Sequence, residues 1–326
     1  YWNGSAWFQV HTATPNLGQA TDTQPGARGF FMGGLAPGES ATIDYINIAS
    51  AGDAIDFGDL SGNRRLGGAC ASSTRGIAMG GYTGSSDVDI IEFITIASTG
   101  NATDYGNLSN SNARRANSGL SNATRGLSFG GFISPANTDT IDYITISSSG
   151  VNAQDFGNLI SALAQATGCA SPVRGVIAGG ESPRVNTIQF VTITTLGNAQ
   201  DFGDLTTAVS GAAALGNATR AIFGGGEISP TFQRNMEYVT ISSGGNAVKF
   251  GDLVQTGGLR LQGSASSSTR GIFAGGSNDT PASSTVYDQI QSIEIATEGN
   301  SVDFGDLTAG KWQILNGTTS NAHGGL

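Results

Sequence analysis

The chain has 326 residues, and its 25 acidic and 15 basic side chains give a formal net charge of −10. This charge repels a phosphate backbone, so the composition argues against nucleic acid as a partner. No apolar stretch approaches the roughly 20 residues of a membrane-spanning helix, so we expect no membrane insertion.

The first recurring motif in chain order is an arginine followed by apolar residues and a double glycine, as in RGFFMGG. It returns every 46 to 50 residues, which defines repeats one to six. A period of this length is typical of repeat architectures built from one supersecondary unit. The six copies begin at Arg28, Arg75, Arg125, Arg174, Arg220 and Arg270.

Two further motifs follow each double glycine in fixed order. The second motif reads IDYINI at Ile43 and IEFITI at Ile91, and the third reads DFGDL at Asp56 and DYGNL at Asp104. Short runs of Ile, Val, Phe and Tyr bounded by Gly, Asn or Ser predict β-strands. A Gly-Asn or Gly-Asp pair between the two motifs predicts a two-residue hairpin loop.

A segment of small residues precedes most of the arginines, for example GGACASS from Gly67 and QGSASSS from Gln262. We interpret it as the first strand of each repeat, because small side chains suit the crowded axis of a β-propeller. The sequence therefore predicts an all-β fold with four antiparallel strands per repeat.

The motifs resemble the kelch repeat, in which a double glycine is followed by an aromatic residue in the third strand and another in the fourth. The third-strand aromatics are Tyr45, Phe93, Tyr143, Phe190 and Tyr238, and Ser292 breaks the pattern in repeat six. The fourth strand has Phe or Tyr where kelch proteins usually have Trp. The resemblance implies a six-bladed kelch-like β-propeller.

The domain boundaries follow from the first and last repeats. Repeat one lacks a clean first strand, because Pro25 interrupts the residues before Arg28. The segment TAGKWQILNGTTSN near the C-terminus is in register with the other first strands. We expect residues 312–320 to pair with residues 29–33 and close the propeller. Residues 1–27 form an N-terminal extension, and residues 28–326 form the propeller.

Few residues are suited to catalysis. His11 and His323 both lie outside the repeats, and the copper ligands of galactose-oxidase-type propellers are missing. Glu181, Glu227 and Asp288 are scattered over separate loops, which disfavours a glycan-processing enzyme. We expect no catalytic residue, no cofactor and no metal.

The remaining repeated polar groups are expected to be structural. Cys70 and Cys169 occupy equivalent positions in different repeats, too far apart for a disulfide, so both should be free. We expect the six arginines to bind a neighbouring Asp or carbonyl group, with an anion-binding ring as the weaker alternative.

The links between strands divide into two kinds. The links from second to third strand and from fourth to next first strand vary in length and content, and they define the variable face. The remaining links hardly change and define the uniform face. On a rigid scaffold, varied loops are typical of recognition. The candidate binding residues on the variable face are Tyr82, Phe132, Arg184, Phe232, Arg234 and Tyr287.

The sequences of the repeated motifs, together with YWNGSAW at the start, resemble those of tail or fibre structural proteins of marine bacteriophages. The resemblance implies a non-enzymatic virion protein that presents its variable loops for host-surface or protein recognition. The expected partners are other virion proteins and a host-surface glycan or receptor, and self-association into a homo-oligomer stays open. The alternatives are an internal scaffold of the virion and a glycan-processing enzyme.

Overall fold

A computed structural model describes residues 27–326 except residues 36, 256, 279–284 and 318. The predicted extension, residues 1–27, lies outside the described residues apart from Ala27, whose carbonyl accepts a hydrogen bond from the Ile48 amide. The described residues form an all-β fold of antiparallel sheets with one short 3₁₀ turn, Ser109–Ser111. No helix within them is long and apolar enough to span a membrane.

The strands of repeats one to three are β1 (Arg28–Met32), β2 (Thr42–Asn47), β3 (Ile55–Asp59), β4 (Gly68–Ala71), β5 (Arg75–Tyr82), β6 (Asp87–Thr95), β7 (Thr103–Asn107), β8 (Ser118–Ser121), β9 (Arg125–Phe129), β10 (Phe132–Ile133), β11 (Ala136–Asn137), β12 (Thr140–Thr145) and β13 (Gln154–Asn158). Those of the remaining chain are β14 (Thr167–Ala170), β15 (Arg174–Ala178), β16 (Thr187–Thr192), β17 (Gln200–Asp204), β18 (Ala213–Gly216), β19 (Arg220–Gly224), β20 (Asn235–Thr240), β21 (Val248–Asp252), β22 (Gly263–Ser266), β23 (Arg270–Ala274), β24 (Gln289–Glu294), β25 (Val302–Asp306) and β26 (Asn316–Gly317).

The sheets follow the sequence repeats. Repeats four, five and six each form a four-stranded sheet in chain order, β14 to β17, β18 to β21 and β22 to β25. Repeat one contributes the three-stranded sheet β1-β2-β3. The four strands of repeat two and the four of repeat three join through β26 into a nine-stranded sheet. The short hairpin β10-β11 stands apart on the variable face.

The hydrophobic core lies between neighbouring sheets. One cluster joins Phe30 and Ile43 of repeat one to Ala78 and Ile94 of repeat two. Corresponding clusters join the other consecutive repeats. A further cluster joins repeat six to repeat one and includes Phe31, Ile272 and Phe304. Because each sheet packs against a neighbour on both faces, the first and second strands are buried over nearly their whole length.

The double glycine stands where the second strand turns at positive φ, and only in repeat two does the strand continue past it, to Tyr82 after a register shift. In repeat one, φ is +61° at Gly33 and +115° at Gly34. A Cβ atom at Gly33 would lie 2.4 Å from the Arg64 carbonyl oxygen. Both the conformation and the space therefore require glycine. This is the physical reason for the repeated double glycine in the sequence.

The predicted two-residue hairpin loop at Gly-Asn is wrong. In repeat two the link between β6 and β7 spans residues 96–102, and its Gly100 amide donates to Phe57 O of repeat one at 2.8 Å. The Asn101 side-chain oxygen accepts a hydrogen bond from the Asp59 amide at 3.0 Å. A Cβ atom at Gly58 would lie 2.5 Å from Gly100 O. Gly-Asn thus binds the neighbouring repeat instead of folding back on its own strand.

The same contact joins repeat six to repeat one. The Gly52 amide donates to Phe304 O at 2.9 Å, and the Asp53 carboxylate accepts from the Asp306 amide at 3.1 Å. Each of these junctions therefore needs a glycine where the two backbones approach and an Asn or Asp side chain that accepts a hydrogen bond from the neighbouring repeat.

The six repeated arginines contact carbonyl groups, as the sequence predicted. Arg28 Nη1 donates to Ile96 O of the next repeat at 2.8 Å, and its guanidinium lies 4.9 Å from the Tyr45 ring centroid. Arg270 of repeat six donates to Ile48 O of repeat one at 3.0 Å. Four more arginines donate to carbonyl groups of a neighbouring repeat in the same way: Arg75, Arg125, Arg174 and Arg220.

The C-terminal segment contacts β1 at both ends of the predicted pairing, and at the Met32 end the Leu315 amide donates to Met32 O at 3.1 Å. Ser320 forms an antiparallel bridge with Gly29, and the Phe30 amide donates to Thr319 O at 2.9 Å. Asn316 instead pairs in parallel with both β4 and β8, and its side chain bonds to Ala166 O and to the Thr167 hydroxyl. Between its two contacts with β1, the segment therefore leaves the register of a regular first strand and inserts among the first strands of several repeats.

The last residues of the chain are also buried. His323 is 4% exposed, and its Nε2 donates to Ala71 O at 2.7 Å, while its Nδ1 accepts from the Gly325 amide at 3.1 Å. Burial lowers the pKa of His323 to about 4. The imidazole is therefore neutral in the folded protein over the physiological range.

Buried ion pairs support three of the repeats. Arg64 pairs with Glu92 in repeat two, and Arg114 Nη2 lies 2.9 Å from the Asp142 carboxylate in repeat three. Lys311 of the C-terminal segment lies 2.8 Å from Asp44 of repeat one. Burial lowers the pKa of Arg114, and the Asp142 charge opposes this change.

The two cysteines are free and buried, as predicted. Cys70 lies in β4 and Cys169 lies in β14, and burial raises the pKa of each thiol to about 12. Neither thiol is therefore ionised, and neither is a candidate nucleophile.

Candidate recognition site on the variable face

Two columns of equivalent residues face each other on the variable face. The first column holds the residue that follows each double glycine. Each of these residues forms an isolated β-bridge with a residue of the link before a first strand, and these partners form the second column. We call these residues the mouth. Its pairs are Leu35 with Trp312, Tyr82 with Arg65, Phe132 with Arg115, Glu181 with Ala164, Glu227 with Ser210, and Ser277 with Arg260.

Beside the mouth, a series of backbone hydrogen bonds connects equivalent residues of successive repeats. They join the six residues that follow the second column, and in five of these bonds the amide donates to the carbonyl of the preceding repeat at 2.6 to 3.1 Å. In order of the bonds, these residues are Gln313, Leu66, Ala116, Gln165, Gly211 and Leu261. Leu66 has φ of +56° and Gln165 has φ of +52°, which costs free energy for residues with a Cβ atom. Strained backbone of this kind concentrates at binding sites.

Arginine and aromatic side chains alternate along one part of the mouth. The Arg115 guanidinium lies 4.9 Å from the Tyr82 ring centroid and 4.7 Å from that of Phe132. Arg65 lies 5.3 Å from the Tyr82 ring centroid. Asp87 holds Arg115 at 3.0 Å. Cation–π contacts and this ion pair fix the aromatic rings in place.

A second stack lies across repeats five, six and one. The Arg260 guanidinium is 5.2 Å from the Phe232 ring centroid and 5.3 Å from the Trp312 ring. Glu227 accepts from Arg260 at 2.5 Å and from Arg184 at 3.0 Å. Glu227 therefore connects the second stack to repeat four.

Glu181 occupies the same column as Glu227 in the neighbouring repeat. Its carboxylate accepts a hydrogen bond from Gln165 Nε2 at 2.6 Å. Burial raises the pKa of Glu181, the Glu227 charge raises it further, and Arg184 and Arg260 oppose the change. The prediction that Glu181 and Glu227 are scattered is therefore wrong, because equivalent loop positions of adjacent repeats bring them together.

A cavity of about 620 Å³ opens between repeats three and four. Its wall includes Phe132 and Arg115 of the first stack, the hydrogen-bonded pair Glu181 and Gln165, and several small residues. The small residues are Ala116, Pro135, Ala136, Ala162, Ala164 and Ser182. The volume is within the range of about 300–1,000 Å³ that is usual for small-molecule sites.

The structure brings four of the six predicted binding residues into these arrangements. Tyr82 and Phe132 share Arg115, while Phe232 and Arg184 are connected through Glu227 and Arg260. All four side chains are half-buried.

The other two predicted residues have different surroundings. The Tyr287 hydroxyl accepts a hydrogen bond from Asn278 at 2.8 Å, and its ring packs against the core between repeats five and six. Arg234 is half-buried, and its carbonyl accepts from the Leu253 amide at 2.7 Å. Among the described residues, no cation–π pair joins Tyr287 or Arg234 to either stack.

Sequence reasoning missed the arginines that hold the aromatic rings, Arg65, Arg115 and Arg260, and it missed Trp312. Each stands directly after the position of Arg64, Arg114, Leu259 or Lys311 in the aligned repeats. The equivalence of these four positions can be seen by aligning the repeats. Their contact with the residue after the double glycine is shown only by the β-bridges of the structure. Within the described residues, no group of His, Cys, Asp and Glu is suited to holding a metal ion.

Comparison with known proteins identifies the fold alone. No family model matches the chain, and no curated protein matches it. The solved structure of YjhT superposes with a TM-score of 0.65 at 10% sequence identity, and the match covers 78% of this chain and 87% of that one. At this identity the similarity shows a kelch-like fold of the β-propeller type.

Proposed function

We propose that the chain is a non-enzymatic recognition module that binds its partner with the variable face of a closed, six-bladed propeller. The observation that carries this proposal is the mouth, where two arginine–aromatic stacks and a cavity are built from links that differ between repeats. Rigid aromatic rings and arginines are the residue types that contribute most to binding.

Contacts between repeat six and repeat one support the closed ring. Arg270 donates to Ile48 O, and the Gly52 amide donates to Phe304 O, as in the other junctions. The core cluster shared by these two repeats also matches the other clusters. The C-terminal segment adds the ion pair between Lys311 and Asp44 of repeat one.

For the place of action we propose a bacteriophage virion, on the sequence resemblance alone. The partners would be other virion proteins and a glycan or receptor on the host surface. With a net charge of −10, approach to an acidic surface polymer would be slow, so weak multivalent attachment fits better than tight binding at one site.

The test compares the two faces. Labelled wild-type protein, the double variant Tyr82→Ala with Phe232→Ala, and a control with alanine at Ser73 and Thr99 of the uniform face are added to a panel of marine bacterial isolates. We expect the variable-face variant to lose at least about tenfold in adsorption, since each aromatic contact contributes about 1 kcal/mol or more. The control should adsorb as the wild type does.

Equal loss from both faces, or no loss from the variable face, would contradict recognition by the mouth. Incorporation into particles without adsorption would instead favour the scaffold alternative. Thermal unfolding of each variant shows whether the fold is retained.

A further inference from the structure

The cavity between repeats three and four exists because one column of the mouth lacks bulk there. The corresponding position is Arg65, Arg115 or Arg260 in three other repeats and Trp312 in repeat one, but in repeat four it is Ala164. In repeat five the small residue is Ser210, and the Arg184 side chain lies over it with Nε 3.3 Å from the hydroxyl. Repeat four therefore has the open position.

One wall of the cavity is a fixed aromatic ring. Phe132 is half-buried, and Arg115 lies 4.7 Å from its centroid. Arg115 is itself held by Asp87 and by the Tyr82 ring. A ring that is already fixed loses little conformational entropy when a ligand packs against it.

The part of the cavity wall that repeat four contributes supplies a hydrogen-bond acceptor. The Glu181 carboxylate receives one hydrogen bond from Gln165 Nε2, and two carboxylate oxygens can accept further donors. Its backbone is fixed because Glu181 O accepts from Asn137 Nδ2 at 2.9 Å. Hydroxyl donors to a carboxylate form charge-assisted hydrogen bonds, which are stronger than neutral ones.

The charges around the cavity disfavour a charged ligand of either sign. An anion would meet the Glu181 carboxylate, and Arg115 already pairs with Asp87 at 3.0 Å. A cation would meet the Arg115 guanidinium in the wall. An uncharged molecule with one apolar face and several hydroxyl groups fits both walls.

We propose that this cavity binds one uncharged pyranose residue of a glycan, with the C–H face of the sugar on Phe132 and hydroxyl groups donating to Glu181. The inference rests on the proposed function, because it assigns a ligand class to part of the same variable face. It goes further by assigning that ligand to repeats three and four.

The probes are the methyl glycosides of glucose, galactose, mannose and N-acetylglucosamine, with glucuronic acid and glucosamine as charged comparators. Binding is measured by saturation-transfer NMR on the full chain. We expect at least one neutral glycoside to bind, and both Phe132→Ala and Glu181→Gln to weaken its binding at least about tenfold, which corresponds to about 1.4 kcal/mol. Ala164→Arg should abolish binding, because it places in repeat four the residue that fills the equivalent position in repeat three.

The matched control is Tyr143→Ala, which removes another arginine-stacked aromatic ring of repeat three. Tyr143 lies in β12 and does not line the cavity, so binding should be unchanged. If Ala164→Arg does not fold, Ala162→Tyr fills the cavity from a half-buried position.

Failure of every neutral glycoside to bind would overturn the inference, as would stronger binding of a charged comparator or full binding by Ala164→Arg. If cell adsorption still depends on Tyr82 and Phe232 in that case, the proposed function stands and only the ligand assigned to the cavity is wrong. Loss of both would contradict both proposals.

Discussion

Repeats one to three and repeats four to six solve the same packing problem with different chemistry. Before the first strand, the first three repeats place Lys311, Arg64 and Arg114 against buried carboxylates. The other three place Leu163, Val209 and Leu259 at the equivalent position, and all three are buried.

The third-strand residue changes with this position. In repeat four Gln189 replaces the carboxylate, and its side-chain oxygen accepts from the Ile160 amide at 2.9 Å. Gln291 does the same for Val254 in repeat six. Repeat five keeps the acid Glu237, which accepts from the Thr206 amide at 2.8 Å and from Asn235. The shared requirement is therefore a bonded acceptor in the third strand, and the cation is optional.

The comparison teaches that the buried ion pairs are not what makes a repeat fold, since three repeats form the same sheet without one. The energetic rule is that an apolar replacement of a whole buried pair costs little, whereas removal of one partner costs much. The following experiments test this difference between the two halves.

The largest effect is expected from deleting residues 308–326, which removes Lys311 from the first half and leaves Asp44 buried without its cation. The deletion also removes the buried side chains of Ile314 and Leu315. We expect a loss of more than about 5 kcal/mol in the free energy of unfolding, and aggregation through exposed strand edges. Denaturant unfolding measures the loss, and a truncated protein that melts at the full-length temperature would contradict it.

The next effect isolates one ion pair. Arg114→Leu should cost about 3–5 kcal/mol, because Asp142 stays buried without its cation. The double variant Arg114→Leu with Asp142→Gln reproduces the residues of repeat four, and it should recover most of that loss. Urea unfolding of both variants provides the measurement. A single variant as stable as the double one would mean that Asp142 does not need its cation.

The smallest effect concerns the last residues of the chain, which place a titratable group, His323, against repeats of the first half. His323 contacts Ala71 of repeat two and Ser121 of repeat three. Its pKa is about 4 when folded and about 6.5 when unfolded, so the unfolded state binds the proton first. This contribution is fully present above about pH 6.5 and is lost as the pH falls toward 4.

Between pH 7 and pH 4.5 the wild type should lose about 2–3 kcal/mol more stability than His323→Gln. The difference between the two proteins isolates the histidine, because the carboxylates titrate in both. Parallel pH profiles would show that His323 is not the group responsible.

Much of the fold could be predicted from the sequence, because strand burial and glycine geometry are local properties that recur six times. The first strands and the carbonyl contacts of the arginines both follow from the aligned motifs. The Gly-Asn link was predicted wrongly, because its partner is a strand of another repeat, some 42 residues away at Asp59 and Asn101. Hairpin preferences describe only neighbours in sequence.

The candidate site was less predictable. Aromatic residues such as Tyr82 and Phe132 stand out in their loops, but Arg115 is needed to connect them, and it belongs to a different link. The cavity depends on Ala164, whose importance lies in the volume that it leaves empty. A small residue in one repeat does not stand out in the sequence. Its role becomes visible only when the larger residues at the equivalent positions of other repeats are compared with it in the structure.

The position of Asn316 and Gly317 has a consequence for how such a chain can evolve. Asn316 bonds to β4, β8 and the Thr167 hydroxyl of β14, and Gly317 O accepts from Ser264 of β22 at 3.4 Å. Open repeat arrays gain or lose units easily, because each unit contacts only its neighbours. Here, duplication of one repeat would move these strands apart, and a two-residue strand could no longer reach them all. The contacts of Asn316 and Gly317 are therefore matched to the present arrangement of repeats.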